Sequence, residues 1–174
     1  MTTLQLRLLI ESDLMAYKAL RDRTLAQHPE AFTSDAETEM QRDLASYRSR
    51  LTAGGGGRTL FTLLALLDGH VVGAVTCERE PRRKVHHIAQ LIGMMVAGEQ
   101  RGRGIGRALL TAALQRLAEV PGLALVTLSV TASNAAALRL YDAAGFTRYG
   151  LLPGAVRLPD GRELDKALMV RRLV

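Results

Sequence analysis

The 174-residue sequence has one cysteine, no tryptophan and 4 % aromatic residues. Each scarcity excludes something. With Cys77 alone, neither an internal disulfide nor a thiolate metal cluster can form. The longest apolar run, Leu63–Leu67, is far too short to span a membrane. The opening MTTLQLRLLIESD carries Arg7, Glu11 and Asp13 where a secretory leader needs an unbroken apolar core, so a cytoplasmic location is expected. The four histidines form no pair at helical spacing, and no metal site is expected. A net charge of +6 favours an anionic partner. The shortage of aromatic stacking platforms argues against that partner being nucleic acid.

What is present describes a chain that folds around a core: 48 % hydrophobic and 23 % charged residues, in a length suited to one domain, residues 1–174. Leu4, Leu6 and Leu8 alternate as in a strand. A helical pattern follows from about Asp13 to Gln27, with Glu11-Ser12-Asp13 as cap. Ser34 with Glu37 fits a capping box for a second helix that fades near Leu51. Gly54–Gly57 reads as a connection, since no Lys-Ser/Thr follows it as in a phosphate loop. Thr59–Leu67 and Val71–Glu80 read as a hairpin turning at Asp68-Gly69. Ile88–Val96 is a further strand, and a long helix runs to about Glu119. Leu123–Val130 is a buried strand, Asn134–Ala144 a helix stopped by Gly145, and two last strands meet across Pro159-Asp160-Gly161. The pattern is α+β, built on a mixed sheet.

Between the Ile88–Val96 strand and the long helix stands QRGRGIGR, Gln100–Arg107. It is not a dinucleotide fingerprint, because the third glycine position counted from Gly102 is Arg107, and it is not a Walker loop, because Gly-Lys-Ser/Thr is absent. A helix N-terminus offers four unpartnered N–H groups and a partial positive charge. Gly102, Gly104 and Gly106 bare that backbone, while Arg101, Arg103 and Arg107 add forked donors suited to phosphate oxygens. A pyrophosphate cradle satisfies this arrangement; so does a tight turn with solvated arginines.

Arg101-x-x-Gly104-x-Gly106 resembles the Q/R-x-x-G-x-G/A signature of the GNAT superfamily of N-acetyltransferases. Gly93–Val96 resembles that family's fourth strand, and SNAAALRLYDAAGF, Ser133–Phe146, its second conserved segment. Pro29–Phe32 and Glu163–Met169 also look like one branch of these enzymes, so the likeness covers nearly the whole chain. The resemblance implies an α/β three-layer fold: a mixed, mostly antiparallel sheet of about seven strands flanked by about four helices. It implies acetyl-CoA as cosubstrate, held by Arg101, Gly102, Arg103, Gly104, Ile105, Gly106 and Arg107, with direct transfer to a primary amine of a small molecule or peptide. The backbone of Met94, Met95 and Val96 would hold the pantetheine arm, with Gly93 marking a bulge, although one of the two methionines is expected in the core. Asn134 would touch the cofactor, cap its helix, or both. Tyr141, seven residues on and on the same helix face, would be the general acid toward the departing thiolate, its other reading being simple packing. Glu78, Glu80, His86, His87 and Glu99 compete without rank as the base, and the first two helices with the basic turn Pro81–Lys84 are expected on the acceptor side. The acceptor's identity and a homodimeric state stay open. The competing functions are a silent coenzyme A-binding module and a basic nucleic-acid-binding domain.

Overall fold

The computed structural model describes residues 3–52 and 58–173; the glycine run Gly54–Gly57 lies outside them. Seven strands form one sheet: β1 (Leu4–Leu8), β2 (Thr59–Leu67), β3 (His70–Arg79), β4 (Ile88–Val96), β5 (Leu125–Thr131), β6 (Thr147–Arg157) and β7 (Glu163–Arg172). Their order across the sheet is β1-β2-β3-β4-β5-β7-β6. Every neighbouring pair is antiparallel except β4 and β5. The helices are α1 (Leu14–Gln27), the short α2 (Ala36–Met40), α3 (Ile105–Ala118) and α4 (Ala135–Ala143). This is the mixed α+β sheet and helix complement that the sequence implies.

Val72–Cys77 of β3 is buried without interruption, so both faces of the sheet are covered there. Both α1 and α3 pack on β3. From α3 the core takes Ile105, Leu109, Leu110, Ala113, Leu114 and Leu117, with Ala112 at its rim. The β2–β3 hairpin turns on Asp68 and Gly69, both at positive φ (49° and 84°), as a two-residue turn requires to match strand twist. Gly145 ends α4 at φ 82°. No helix among the described residues is long and apolar enough to cross a membrane.

Two caps differ from expectation. Ser34 does not cap α2, because its Oγ accepts a hydrogen bond from Arg21 Nη2 at 3.0 Å; Asp35 caps instead, accepting from Thr38 N at 2.8 Å. The helix also stops at Met40, and Asp43 opens a separate 3-10 stretch, Leu44–Arg50. At α1, Asp13 is occupied by Arg7, whose Nη2 donates to Oδ1 at 2.9 Å, and makes no cap bond into the helix.

Arg21 of α1 also donates to Glu39 Oε2 at 3.1 Å, with side-chain exposures of only 6 % and 5 %. Tyr47 and Arg42 complete the Glu39 carboxylate from its other oxygen. Tyr47 packs edge-on against Tyr17, ring centroids 5.8 Å apart. Five residues, Tyr17, Arg21, Glu39, Arg42 and Tyr47, thereby tie α1 to α2 and the following 3-10 stretch.

Candidate active site

The parallel pair β4–β5 is joined only at Ile88–Leu125, Ala89–Val126 and Gln90–Thr127, and beyond Gln90 the strands part. A bulge drives the departure. Between Met95 and Ile92, β4 advances three residues while β3 advances two, from Ala74 to Thr76, and Gly93 takes φ 59° inside that step. The edge of β4 toward β5 is therefore free of strand partners from Leu91 to Val96. A cavity of about 950 Å³ occupies the gap.

One end of the cavity is the N-terminal turn of α3. Gly104 is the N-cap at φ 77°, and no side chain caps the helix. A Cβ added to Gly102 or Gly104 would meet nothing within 4 Å, so these two glycines serve backbone conformation and stand beside open space. Gly106 differs: its Cβ would point inward, 3.6 to 3.8 Å from the side chains of Leu140, Met94 and Val96. Arg101, Gly102, Gly104, Ile105, Gly106 and Arg107 line the cavity, whereas Arg103 does not. Arg103 stands between the two left-handed glycines, Gly102 and Gly104.

On the opposite wall, Asn134 accepts from Ala137 N at 3.1 Å and so caps α4 while lining the cavity. Tyr141, 8 % exposed, also lines it. Its ring stands edge-on to Phe146 with centroids 5.9 Å apart. Burial pushes its phenol up to about 12. Met94 and Val96 face the cavity partly buried; Met95 is 3 % exposed and is the methionine that fills core space.

The other end opens on the α1 side of the sheet, lined by Arg21, His28, Glu30, Phe32, Ser34 and Arg50. Arg50 is paired with Glu78 at 3.1 Å and His28 Nδ1 lies 3.4 Å from Glu30. None of the five residues expected to compete as a base lines the cavity. Glu78 is spent on Arg50, Glu80 lies beside Arg58 and Arg82, Glu99 beside Arg23, and His86 and His87 are exposed in the turn before β4. The turn Pro81–Lys84 is also absent from the lining, being exposed on the far side of β3's end. Cys77 is fully buried, and burial raises its thiol far above the usual range, which removes it as a nucleophile.

One lining residue had no motif to announce it. Lys166 on β7 is 7 % exposed, and burial lowers its ammonium pKa. The register Thr131–Lys166 puts both side chains on one face of the sheet. That face is identified by Thr131 Oγ1, which donates to Glu30 O at 2.7 Å. The only signal for Lys166 in the sequence is the alternation of β7, where Ala167 and Met169 take the core side and leave 166 on the cleft side.

The chain matches the Acetyltransferase (GNAT) family over residues 17–146. It is 31 % identical to a mycothiol acetyltransferase of Nocardiopsis dassonvillei over 145 residues, 80 % of this chain but 41 % of that enzyme. It is 27 % identical to a putative phosphinothricin acetyltransferase of Bacillus subtilis, over 97 % of this chain and 98 % of that one. In three dimensions it superposes on a GNAT-family acetyltransferase of Streptococcus pneumoniae with a TM-score of 0.82 at 24 % identity, covering 98 % and 99 % of the two chains. A putative acetyltransferase of Salmonella typhimurium, solved with its cofactor acetyl-CoA, has the same fold at a TM-score of 0.78 and 22 % identity, over 99 % and 95 %. The length of the family match, three-quarters of the chain, decides the matter: this chain belongs to the GNAT family of acetyltransferases.

Proposed function

We propose that the protein is an acetyl-CoA-dependent N-acetyltransferase, one catalytic domain over residues 1–174, passing the acetyl group directly to a primary amine of a small molecule or peptide. The observation that carries this reading is a single cavity reaching from the bare α3 N-terminus, through the β4–β5 gap, to the α1 face. Two substrates entering from its two ends meet without a covalent enzyme intermediate.

The uncapped N–H groups of α3 and the guanidinium groups of Arg101 and Arg107 would hold the diphosphate, with Gly102 and Gly104 giving it room. The unpaired edge of β4 would hydrogen-bond the pantetheine arm, and an N–H from Met94–Val96 would stabilise the thioester oxygen as charge develops there. Asn134 fixes the start of α4 and thus the direction of Tyr141.

A phenol held near 12 stays protonated at any physiological pH, so Tyr141 always has a proton to present. It would give that proton to the coenzyme A sulfur as the thiolate leaves. The amine must first lose a proton to enter as a nucleophile. Glu30 and His28 are the carboxylate and imidazole in the lining, and they lie together on the α1 side where the amine enters.

The test is calorimetric titration with acetyl-CoA, followed by thiol release across amines and peptides. Micromolar binding and amine-dependent release are expected. No binding at millimolar acetyl-CoA overturns the reading; binding without release for any amine leaves a silent coenzyme A module.

A further inference from the structure

The ionisable groups at the α1 end of the cavity are matched, with one exception. Arg21 is matched by Glu39, Arg50 by Glu78, and His28 by Glu30. Lys166 is the exception among the described residues. Burial is the sole influence on its ammonium group, with no carboxylate or hydrogen-bond acceptor offsetting it. The nearest acids in sequence are engaged elsewhere: Asp165 Oδ1 accepts from Gly154 N at 2.9 Å, and Glu163 is paired with Arg157. A nearly buried, unpaired ammonium costs stability, and an apolar residue of the same length would avoid that cost.

Its position tells what it faces. In the β5–β7 register, Val130–Ala167 and Leu128–Met169 turn toward the core, whereas Ser129–Leu168 and Thr131–Lys166 turn to the side where the Pro29–Ala31 turn crosses β5. Lys166 thus stands on the face of the sheet that the Pro29–Ala31 turn covers. It lines the same cavity as Arg21, Ser34 and Gln90.

We propose that Lys166 is the anion-recognition residue of the acceptor site, and that the amine acetylated by this protein carries a carboxylate that pairs with Lys166 Nζ. The inference rests on the acetyltransferase reading above and adds the acceptor's chemistry to it. The bound carboxylate supplies the counter-charge that the fold leaves out.

The experiment uses the full chain with acetyl-CoA and a panel of free amino acids and tripeptides, each supplied as the acid and as its carboxamide. A charged hydrogen bond in a partly closed cleft is worth about tenfold to a hundredfold in binding. Wild-type kcat/KM is expected to favour acids over their amides by at least about tenfold. In Lys166→Met that preference disappears, the KM of the acids rising well above the change seen for the amides. Lys166→Arg restores part of the preference. Whether the amino acids or the tripeptides show the effect tells a free metabolite from a chain terminus. Equal turnover of acids and amides by the wild type overturns the proposal, as does equal loss for both in Lys166→Met. Acetylation of Lys166 itself, read by mass spectrometry after incubation with acetyl-CoA alone, overturns it too. So does an acetyl-CoA-binding wild type that acetylates no acid of the panel. Acetyl-CoA titration keeps the two claims apart: lost binding in the wild type sinks the acetyltransferase reading, whereas intact binding without acid preference sinks only this one.

Discussion

The two ends of the cleft are built by different means. At the α3 end the wall is mostly backbone: uncapped N–H groups, two left-handed glycines and a free strand edge, drawn from the short segments Gly93–Arg107 and Asn134–Tyr141. At the α1 end the wall is side chains brought from five places: Arg21, the stretch His28–Ser34, Arg50, Gln90 and the Thr131–Lys166 pair. In the function proposed above, the backbone end would hold the cosubstrate and the side-chain end the acceptor, and the Arg21–Glu39 ion pair lies at the side-chain end.

That contrast predicts a separation of effects, and the largest belongs to the ion pair. Glu39→Gln leaves Arg21 buried without its counter-charge and is expected to destabilise the fold by ~3 kcal/mol or more, measured by urea unfolding. Burial by itself would raise the Glu39 carboxyl, but hydrogen bonds from Arg21 and Tyr47 and the charges of Arg21 and Arg42 overcome it and hold it at about 2, against an ordinary 4.5. A depressed carboxylate stabilises the fold above its unfolded pKa and loses that contribution as pH falls. The wild-type advantage over Glu39→Gln should therefore be full above pH 4.5 and shrink by roughly 3 kcal/mol as pH drops toward 2. Acetyl-CoA affinity at neutral pH should hold below the unfolding midpoint. An affinity that falls in step with stability would mean that the two ends are one unit.

Next in size is Gly104→Val. A β-branched residue at φ 77° is strained by ~1–3 kcal/mol, and its side chain enters the space assigned to the diphosphate. Acetyl-CoA affinity should drop by about 100-fold or more, equal to ~2.7 kcal/mol, with acceptor KM little changed. Tyr141→Phe should be smaller again: turnover lower by about tenfold to a hundredfold, and acetyl-CoA affinity within about twofold. Unaltered turnover would return Tyr141 to simple packing against Phe146.

The difference between the two ends also explains what could be read in advance. Strand β4 and helix α3 follow from period and punctuation, and Gly102 and Gly104 from the rarity of so bare a helix entry, since these are local properties of contiguous residues. Asn134 and Tyr141 were legible for the same reason, being one face of one helix. Lys166 was not, because its meaning depends on which strand pairs with β7 and on a turn 136 residues earlier, Glu30, crossing that strand. The surroundings of Glu78, Glu80 and Glu99 were hidden for the same reason. Glu78, Glu80 and Glu99 sit near β4 in sequence, yet each is drawn to an arginine that the linear chain keeps distant: Arg50, Arg58 and Arg23. Ser34 looked like a cap until Arg21 claimed its oxygen.

The smallest effect separates glycines that look alike. Gly102, Gly104 and Gly106 alternate evenly along the loop, and a shared purpose is the natural expectation. Only the first two have positive φ, and only there would an added Cβ meet nothing within 4 Å. Gly106 lies inside α3, where a Cβ would make ordinary contacts with Leu140, Met94 and Val96. Gly106→Ala should thus gain helix propensity, up to about 1 kcal/mol, and raise the melting temperature by about 2–4 °C. Acetyl-CoA affinity should stay within about threefold, whereas Gly104→Ala should lose more through its backbone strain alone. If Gly106→Ala weakens binding as deeply as Gly104→Ala, the third glycine also gives its bare backbone to the ligand. The inward direction of its missing side chain would then be the wrong guide to its role.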